Sequence, residues 1–383
     1  MKRLTRIILL LTIAFLTILP IDKVNGIGTN ALPNPGLKYY VSKIRPDFKI
    51  GVYFPEDPVA NPKAAEFVTS NFNFATLGIY MKAIQPKPDQ WNFRNLDAKT
   101  AFLLNSNVAV CFHHGIGWNT YNPAWLYNEQ LSRGQLQGIL DNRIKTILTR
   151  YQDKTWLFHV VNEAFDKDGN WRDEKYNIWM KLGWHNDRNG KWPLYLERAF
   201  RMAREYGGDK LQLIYSENNN AMLNSIKADK TLALFQDFRK AGIPIDGVGF
   251  QFHCAVKNGE LREGSNGQGV KVDFDSFAQN MKRFAKSGAA IHITEFDVHL
   301  PEHPSAGDYQ IQADAYREVL KKCMEESNCK SFQSWGSSDY NWGVPQAGVR
   351  PPSPNALMLD ENYQPKQAYF EMLQYLKEQA DKK

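Results

Sequence analysis

Short apolar runs alternate with longer amphipathic stretches along almost the whole chain. Residues 48–53, 73–78, 108–113, 156–161, 211–215, 245–252, 289–293 and 331–335 read as strands, too short for helices and rich in β-branched and aromatic residues. Residues 96–104, 132–151, 194–206, 221–241, 274–286, 309–325 and 365–379 read as helices. In 132–151, Leu136, Leu140, Ile144 and Ile147 share one helical face. Pro365 opens the last helix at a position where its missing N–H costs nothing. Eight such strands in one unbroken alternation predict an α/β fold, a single-domain (β/α)8 TIM barrel with elaborated βα loops. An open doubly wound sheet is the alternative. It would bring a glycine-rich phosphate turn after the first strand, and neither G-x-G-x-x-G nor G-x-x-x-x-G-K-[ST] occurs.

The first residues break this rhythm. Lys2, Arg3 and Arg6 precede an apolar run from Ile7 to Leu19, closed by Pro20. A basic start, a short apolar run and a break describe a secretory signal, with small-residue cleavage positions at Val24 and Gly26. The expected organisation is a signal at 1–26, an extended arm at 27–46 rich in Gly, Pro and Asn, and the (β/α)8 domain at 47–383. An uncleaved anchor is the other reading of the first segment. Cys323 and Cys329 bracket a short polar loop, and in an exported protein such a pair reads as a disulfide. Cys111 and Cys254 lie in apolar strand contexts and read as buried thiols. A formal charge of +6, spread over 383 residues, does not make a nucleic-acid protein. The 13% aromatic content with ten tryptophans is high. Most of these rings belong to the core, but exposed ones are the flat platforms that sugars stack on.

Chemistry gathers where the strands end. Val160-Val161-Asn162-Glu163 and Ile291-His292-Ile293-Thr294-Glu295 are buried-strand runs that each finish in a carboxylic acid. In a parallel barrel all carboxyl ends face one side. There the third strand brings His113, His114 and Trp118, the sixth Gln251 and His253, the seventh Glu295 and Asp297, and the eighth Trp335, Asp339 and Trp342. Two opposed carboxyls among hydroxyl-binding groups and tryptophans are what cleavage of a glycosidic bond requires. The plain alternative makes both glutamates surface ion-pair partners. Residues 165–193, with Trp171, Trp179, Trp184 and Trp192, form a long connection expected to wall one side of that face.

These residues resemble glycoside hydrolase family 10, whose type activity is endo-1,4-β-xylanase. Asn162-Glu163-Ala164 resembles the family's V-V-N-E-A motif and implies Glu163 as general acid/base. Ile293-Thr294-Glu295-Phe296-Asp297 resembles I-T-E-L-D and implies Glu295 as nucleophile, with Asp297 in support. Val248-Gly249-Phe250-Gln251-Phe252-His253 is similar to V-G-x-Q-x-H, whose histidine supports the nucleophile. His114 through Trp118 to Trp125 keeps the spacing of H-T-L-V-W-H-S-Q-x-P-x-W. The resemblance implies His114, Trp118, Trp335 and Trp342 near one sugar, and Asn162 on the 2-hydroxyl of the reacting sugar. A disulfide at the spacing of Cys323 and Cys329 also has a counterpart there. One motif departs. After the second strand the family reads T-x-E-N-x-M-K-W, and this chain reads Thr76-Leu77-Gly78-Ile79-Tyr80-Met81-Lys82-Ala83. Lys82 is kept, but Gly78 and Ile79 replace the Glu and Asn that bind the second glycone sugar. Room is expected to open at Gly78. Asn119 stands where the family has His, and Gly115-Ile116-Gly117 replaces T-L-V.

The expectation is thus a secreted retaining β-1,4-glycan endo-hydrolase acting on xylan, as a monomer. It would need no cofactor, no metal and no nucleic acid, and no membrane once the signal is removed. Its partner is a polysaccharide or oligosaccharide. Another β-glycoside as substrate, a non-catalytic carbohydrate-binding barrel, and a metal-dependent hydrolase using His113, His114 and His253 are the competing readings.

Overall fold

A computed structural model describes residues 33–128, 130–185, 191–340 and 355–383. The expected signal segment and Trp342 lie outside the described residues. Ten strands are found among those described: β1 (Lys49–Tyr53), β2 (Phe74–Gly78), β3 (Ala109–Ile116), β4 (Leu157–Asn162), β5 (Gln212–Glu217), β6 (Gly247–Phe250), β7 (His253–Lys257), β8 (Glu260–Glu263), β9 (Ala290–His299) and β10 (Cys329–Ser334). Eight of them close a parallel ring in the order β10, β1, β2, β3, β4, β5, β6, β9, and β9 pairs again with β10. This is the (β/α)8 barrel that the alternation predicts. Helices cover its outside: α1 (Leu37–Ile44), α2 (Pro62–Asn71), α3 (Met81–Ile84), α4 (Arg94–Asn105), α5 (Trp125–Asn128), α6 (Arg133–Arg150), α7 (Leu194–Gly207), α8 (Ile226–Lys240), α9 (Phe274–Lys286), α10 (Ala306–Glu325) and α11 (Gln367–Ala380). No described helix is long and apolar enough to cross a membrane.

The ring explains the strand composition. Every residue of β4 is buried, because helices cover one face and the barrel interior the other. Inside, Phe74, Cys111, Leu157 and Ile214 form a small apolar cluster at the amino ends of β2 to β5. Further along the strands a polar layer follows. Thr76 bonds Gln333, His113 bonds His159 at 2.9 Å, and Ser216 bonds Thr294 at 3.3 Å. The strands thus change from apolar to polar contents as they approach the carboxyl face, which positions the chemistry there.

Three local differences from the expected elements have physical causes. Residues 37–44, expected to be extended, form α1, since burying Leu37 and Val41 rewards a helical turn over an exposed arm. The arm's Arg45 donates to the carbonyls of Met324, Glu326, Ser327 and Cys329 and so fastens the first helix to the far end of the chain. Helix α2 was not expected, although its start is marked: the Asn61 side chain accepts from the Ala64 N–H and Pro62 follows it. The run 245–252 is not one strand. It breaks after Phe250, where Phe252 takes a left-handed φ of 57°, and the chain continues as the antiparallel hairpin β7–β8 on the end of β9. Cys323 and Cys329 are bonded, and Cys111 and Cys254 are free and buried.

Candidate active site

Glu163 follows the last residue of β4 and has a left-handed φ of 53°, a conformation costing a non-glycine residue about 1–3 kcal/mol. The backbone around it is held from both sides. Its N–H donates to the Ser216 carbonyl at 2.9 Å, and its own carbonyl accepts from Arg172 Nε at 2.8 Å. The carboxylate is clamped too. Oε1 accepts from Gln251 Nε2 at 2.9 Å and Oε2 from Trp118 Nε1 at 2.9 Å. The Arg172 guanidinium lies 3.7 Å from Oε2 and over the Trp118 ring at 4.2 Å. Behind this stands a buried relay. Lys227 pairs with Glu217 at 2.7 Å, Tyr215 donates to Glu217, and the Ala164 N–H donates to the Tyr215 hydroxyl at 3.0 Å. Gln251 also donates to Asn162 Oδ1 at 3.1 Å, which leaves the buried Asn162 Nδ2 without a partner among the described residues.

Glu295 lies within β9 and is 3% exposed. Its Oε2 lies 3.2 Å from His253 Nε2, and His253 Nδ1 lies 2.9 Å from Asp297 Oδ2. Burial pushes the Glu295 carboxyl up, and Glu163 and Asp297 add to this against the opposing pull of His253, to about 7. Burial disfavours the His253 cation, but Asp297 and Glu295 outweigh it and push His253 up to about 10. Burial also acts to raise Glu163, but the bonds and charges of Gln251, Lys227, Arg172 and Trp118 win and hold it below the ordinary carboxylate range. His113 and His159 are kept uncharged by burial.

Both glutamates open into one cavity of about 1140 Å³. Lys82, Gln251, His253 and Trp335 line it with them, as do Tyr53, Tyr80 and Tyr121. Trp118 reaches it only through its bond to Glu163, and Asp297 only through His253. His114 does not line the cavity. It is 1% exposed, neither ring nitrogen has a partner among the described residues, and Tyr121 and Tyr80 stand against its ring at 4.7 and 5.5 Å. Gly117 makes that position possible, since a Cβ there would lie 2.1 Å from the His114 ring. Lys82 donates from Nζ to the Thr120 carbonyl at 2.9 Å.

The sequence profile of glycosyl hydrolase family 10 matches residues 41–375. The chain belongs to this family. It is therefore a glycoside hydrolase. This hydrolase is 31% identical over 370 residues to endo-1,4-beta-xylanase B of Thermotoga neapolitana, covering 95% of this chain and 97% of that protein. It is 30% identical over 310 residues to endo-1,4-beta-xylanase 2 of Aureobasidium pullulans, covering 79% and 80%. The crystal structure of native xylanase 10B from Thermotoga maritima superposes with a TM-score of 0.78 at 27% identity, over 91% of this chain and all of that one. Xylanase 10B from Thermotoga petrophila RKU-1, crystallised with xylobiose, gives 0.77 at 27%, over 91% and 99%.

The family 10 hydrolase differs from its sequence-based expectation at Gly78. No room opens there. A Cβ would lie 2.8 Å from the Tyr53 hydroxyl and 2.8 Å from the Tyr80 ring, so tyrosines take the space. Tyr53 in turn stacks on Trp335 at 4.3 Å, and Tyr80 on Tyr121 at 5.1 Å. Asn119 has a structural task. It donates to the Lys175 carbonyl at 2.8 Å and accepts from the Ile178 N–H at 3.1 Å and the Tyr127 hydroxyl at 2.7 Å. It thereby ties the wall formed by residues 165–185 to the end of β3. Arg172 was not picked out from the sequence. Its only signal was its place in that long connection, nine residues after Glu163. The Lys227–Glu217 pair left no signal either, being two isolated charges on different elements.

Proposed function

We propose that the enzyme is an exported endo-1,4-β-xylanase that works by retaining double displacement. The observation that supports this most is the pair of buried carboxyls, one from β4 and one from β9, opening into one cleft with unlike surroundings. Glu295 attacks the anomeric carbon, the bond to the leaving oxygen breaks, and Glu163 gives that oxygen its proton. Water then loses a proton to Glu163 and attacks the same carbon. This releases the sugar and returns Glu295 as a carboxylate. Gln251, which also donates to Asn162, orients Glu163, and Nδ2 of Asn162 is the donor left over for a sugar hydroxyl.

Burial raises Glu295 to about 7 while the partners of Glu163 hold it low, the reverse of the order that the first step needs. Substrate reverses both terms. A glycosidic oxygen beside Glu163 accepts a bond that only the acid form gives, and positive charge growing at the anomeric carbon favours carboxylate at Glu295. His253, cationic through neutral pH and backed by Asp297, stabilises that carboxylate.

Incubation with xylan, cellulose and mixed-linkage glucan, followed by product analysis and NMR of the first-formed anomer, tests the reading. Xylo-oligosaccharides with retained β configuration are expected; α products would overturn the mechanism. Glu163→Gln is expected to lower kcat/KM by about 10²–10⁴ on glycosides with poor leaving groups and far less on activated aryl glycosides. Loss of the same size on both would remove Glu163 as the acid. The tyrosines at Gly78 favour a second reading, in which a β-glycan other than xylan is the preferred glycone. Faster release from glucan than from xylan in the same assay would support it.

A further inference from the structure

Beneath the cleft, double displacement leaves two histidines without a task. His113 from β3 and His159 from β4 point into the barrel, 1% and 0% exposed, with their Nδ1 atoms 2.9 Å apart. His113 Nδ1 is also 3.7 Å from Glu295 Oε1. That oxygen is buried and has no hydrogen-bond partner among the described residues, because His253 takes only Oε2. His159 Nε2 is buried and unpartnered as well. One donor atom from each of the three residues lies within 4.8 Å of the other two.

Two neutral imidazoles facing each other hold one proton between their Nδ1 atoms, and an adjacent carboxylate oxygen adds another unshared lone pair. The His253 cation meets only Oε2, so Oε1 and the two imidazoles face one another with no cation bonded to them among the described residues. We propose that His113, His159 and Glu295 form a binding site for a divalent transition-metal ion of the zinc class, and that its occupancy switches hydrolysis off. Two nitrogen and one oxygen ligands with an open fourth position suit this class of ion. Ligands about 2.1 Å from one ion lie at most about 4.2 Å apart, so the cluster closes by only a fraction of an ångström. The ring whose Nδ1 carries the shared proton moves it to its own Nε2, so the histidines release none. A Glu295 that holds a proton loses it to solvent. Glu295 lines the cleft, and the ion enters by that route. Once bound, it occupies the lone pair and neutralises the charge with which Glu295 attacks the sugar.

The inhibitory half rests on Glu295 as nucleophile; the binding half does not. Calorimetric titration of the full chain with zinc chloride is expected to show one tight site, absent in Glu295→Ala. Xylan hydrolysis is expected to fall as that site fills and to return with a chelator. His159→Gln is expected to keep metal-free hydrolysis while raising the zinc concentration for half-inhibition about 10-fold or more. Equal zinc sensitivity in a folded His159→Gln would overturn the proposal. Should that variant not fold, cobalt(II) chloride serves on the unaltered protein. A visible absorption band of low-coordinate cobalt that is lost in Glu295→Ala supports the site, and an equal band in both removes it. Zinc binding without any xylan cleavage would sink the proposed function and leave the site standing.

Discussion

The Glu295 carboxyl meets an environment that favours its neutral form. In an unfolded chain it titrates near about 4.3, and in the fold burial pushes it up to about 7. Between those values the folded protein binds a proton that the unfolded chain has lost. Stability therefore falls as pH rises from about 4 to about 7, and the whole cost is present above that. Glu295→Gln removes the ionisable group. It is expected to abolish hydrolysis while raising Tm above pH 7, with no gain near pH 4. A Tm difference that does not grow with pH would show that the carboxylate is not disfavoured by its site. Gly78 makes the opposite kind of demand, since its neighbours admit nothing larger. Gly78→Ala is expected to destabilise by about 1–3 kcal/mol through overpacking against Tyr53 and Tyr80, read from the denaturation midpoint. The two glutamates were legible in the sequence because each ends an apolar run. The tyrosine filling was not, because it needs β1, β2 and the turn after β3 to meet, and no local pattern records that meeting.

At the scale of elements, the connection from β4 to α7 is held by what it touches more than by its own secondary structure. Its only regular piece among the described residues is the 3-10 turn Ile178–Leu182, and Trp179 there is fully buried, with its indole N–H donating to the Gly117 carbonyl at 3.2 Å. The Asn119 side chain adds two bonds from the other side, to the Lys175 carbonyl and from the Ile178 N–H. Asn119→Ala is expected to leave the barrel's melting nearly unchanged but to speed proteolytic nicking within 165–185. Because Arg172 rides on this wall, kcat is expected to fall as well. Nicking at the unaltered rate would show that the wall stands without Asn119. The regular elements were legible for the same reason that this wall was not. Barrel strands and their helices carry a period set by burial, as in β4 and the Leu136 face of α6. A loop stabilised by single bonds to distant groups carries none. Helix α1 falls between: Leu37 and Val41 show helical spacing, but the Gly and Pro residues before them masked it.

At the scale of the molecule, the ring has a seam. Lys49 to Val52 pair with Ser331 to Ser334, and Arg45 reaches Ser327 across a separation of 282 residues. The Cys323–Cys329 bond, a separation of six residues, braces the turn that Arg45 grips. Its removal by paired substitution to Ala is expected to cost about 2 kcal/mol, the loop-closure value for so short a ring. A midpoint shift near zero would mean that Arg45 alone holds the turn. This seam governs when the enzyme comes into being. Strand β1 is made first among the barrel strands and waits for the last one, so most of the chain must be synthesised before the circle can close. Contacts this distant make folding slow. A chain that crosses a membrane unfolded gains time from that delay: while β10 is still missing, no finished barrel exists to block the passage.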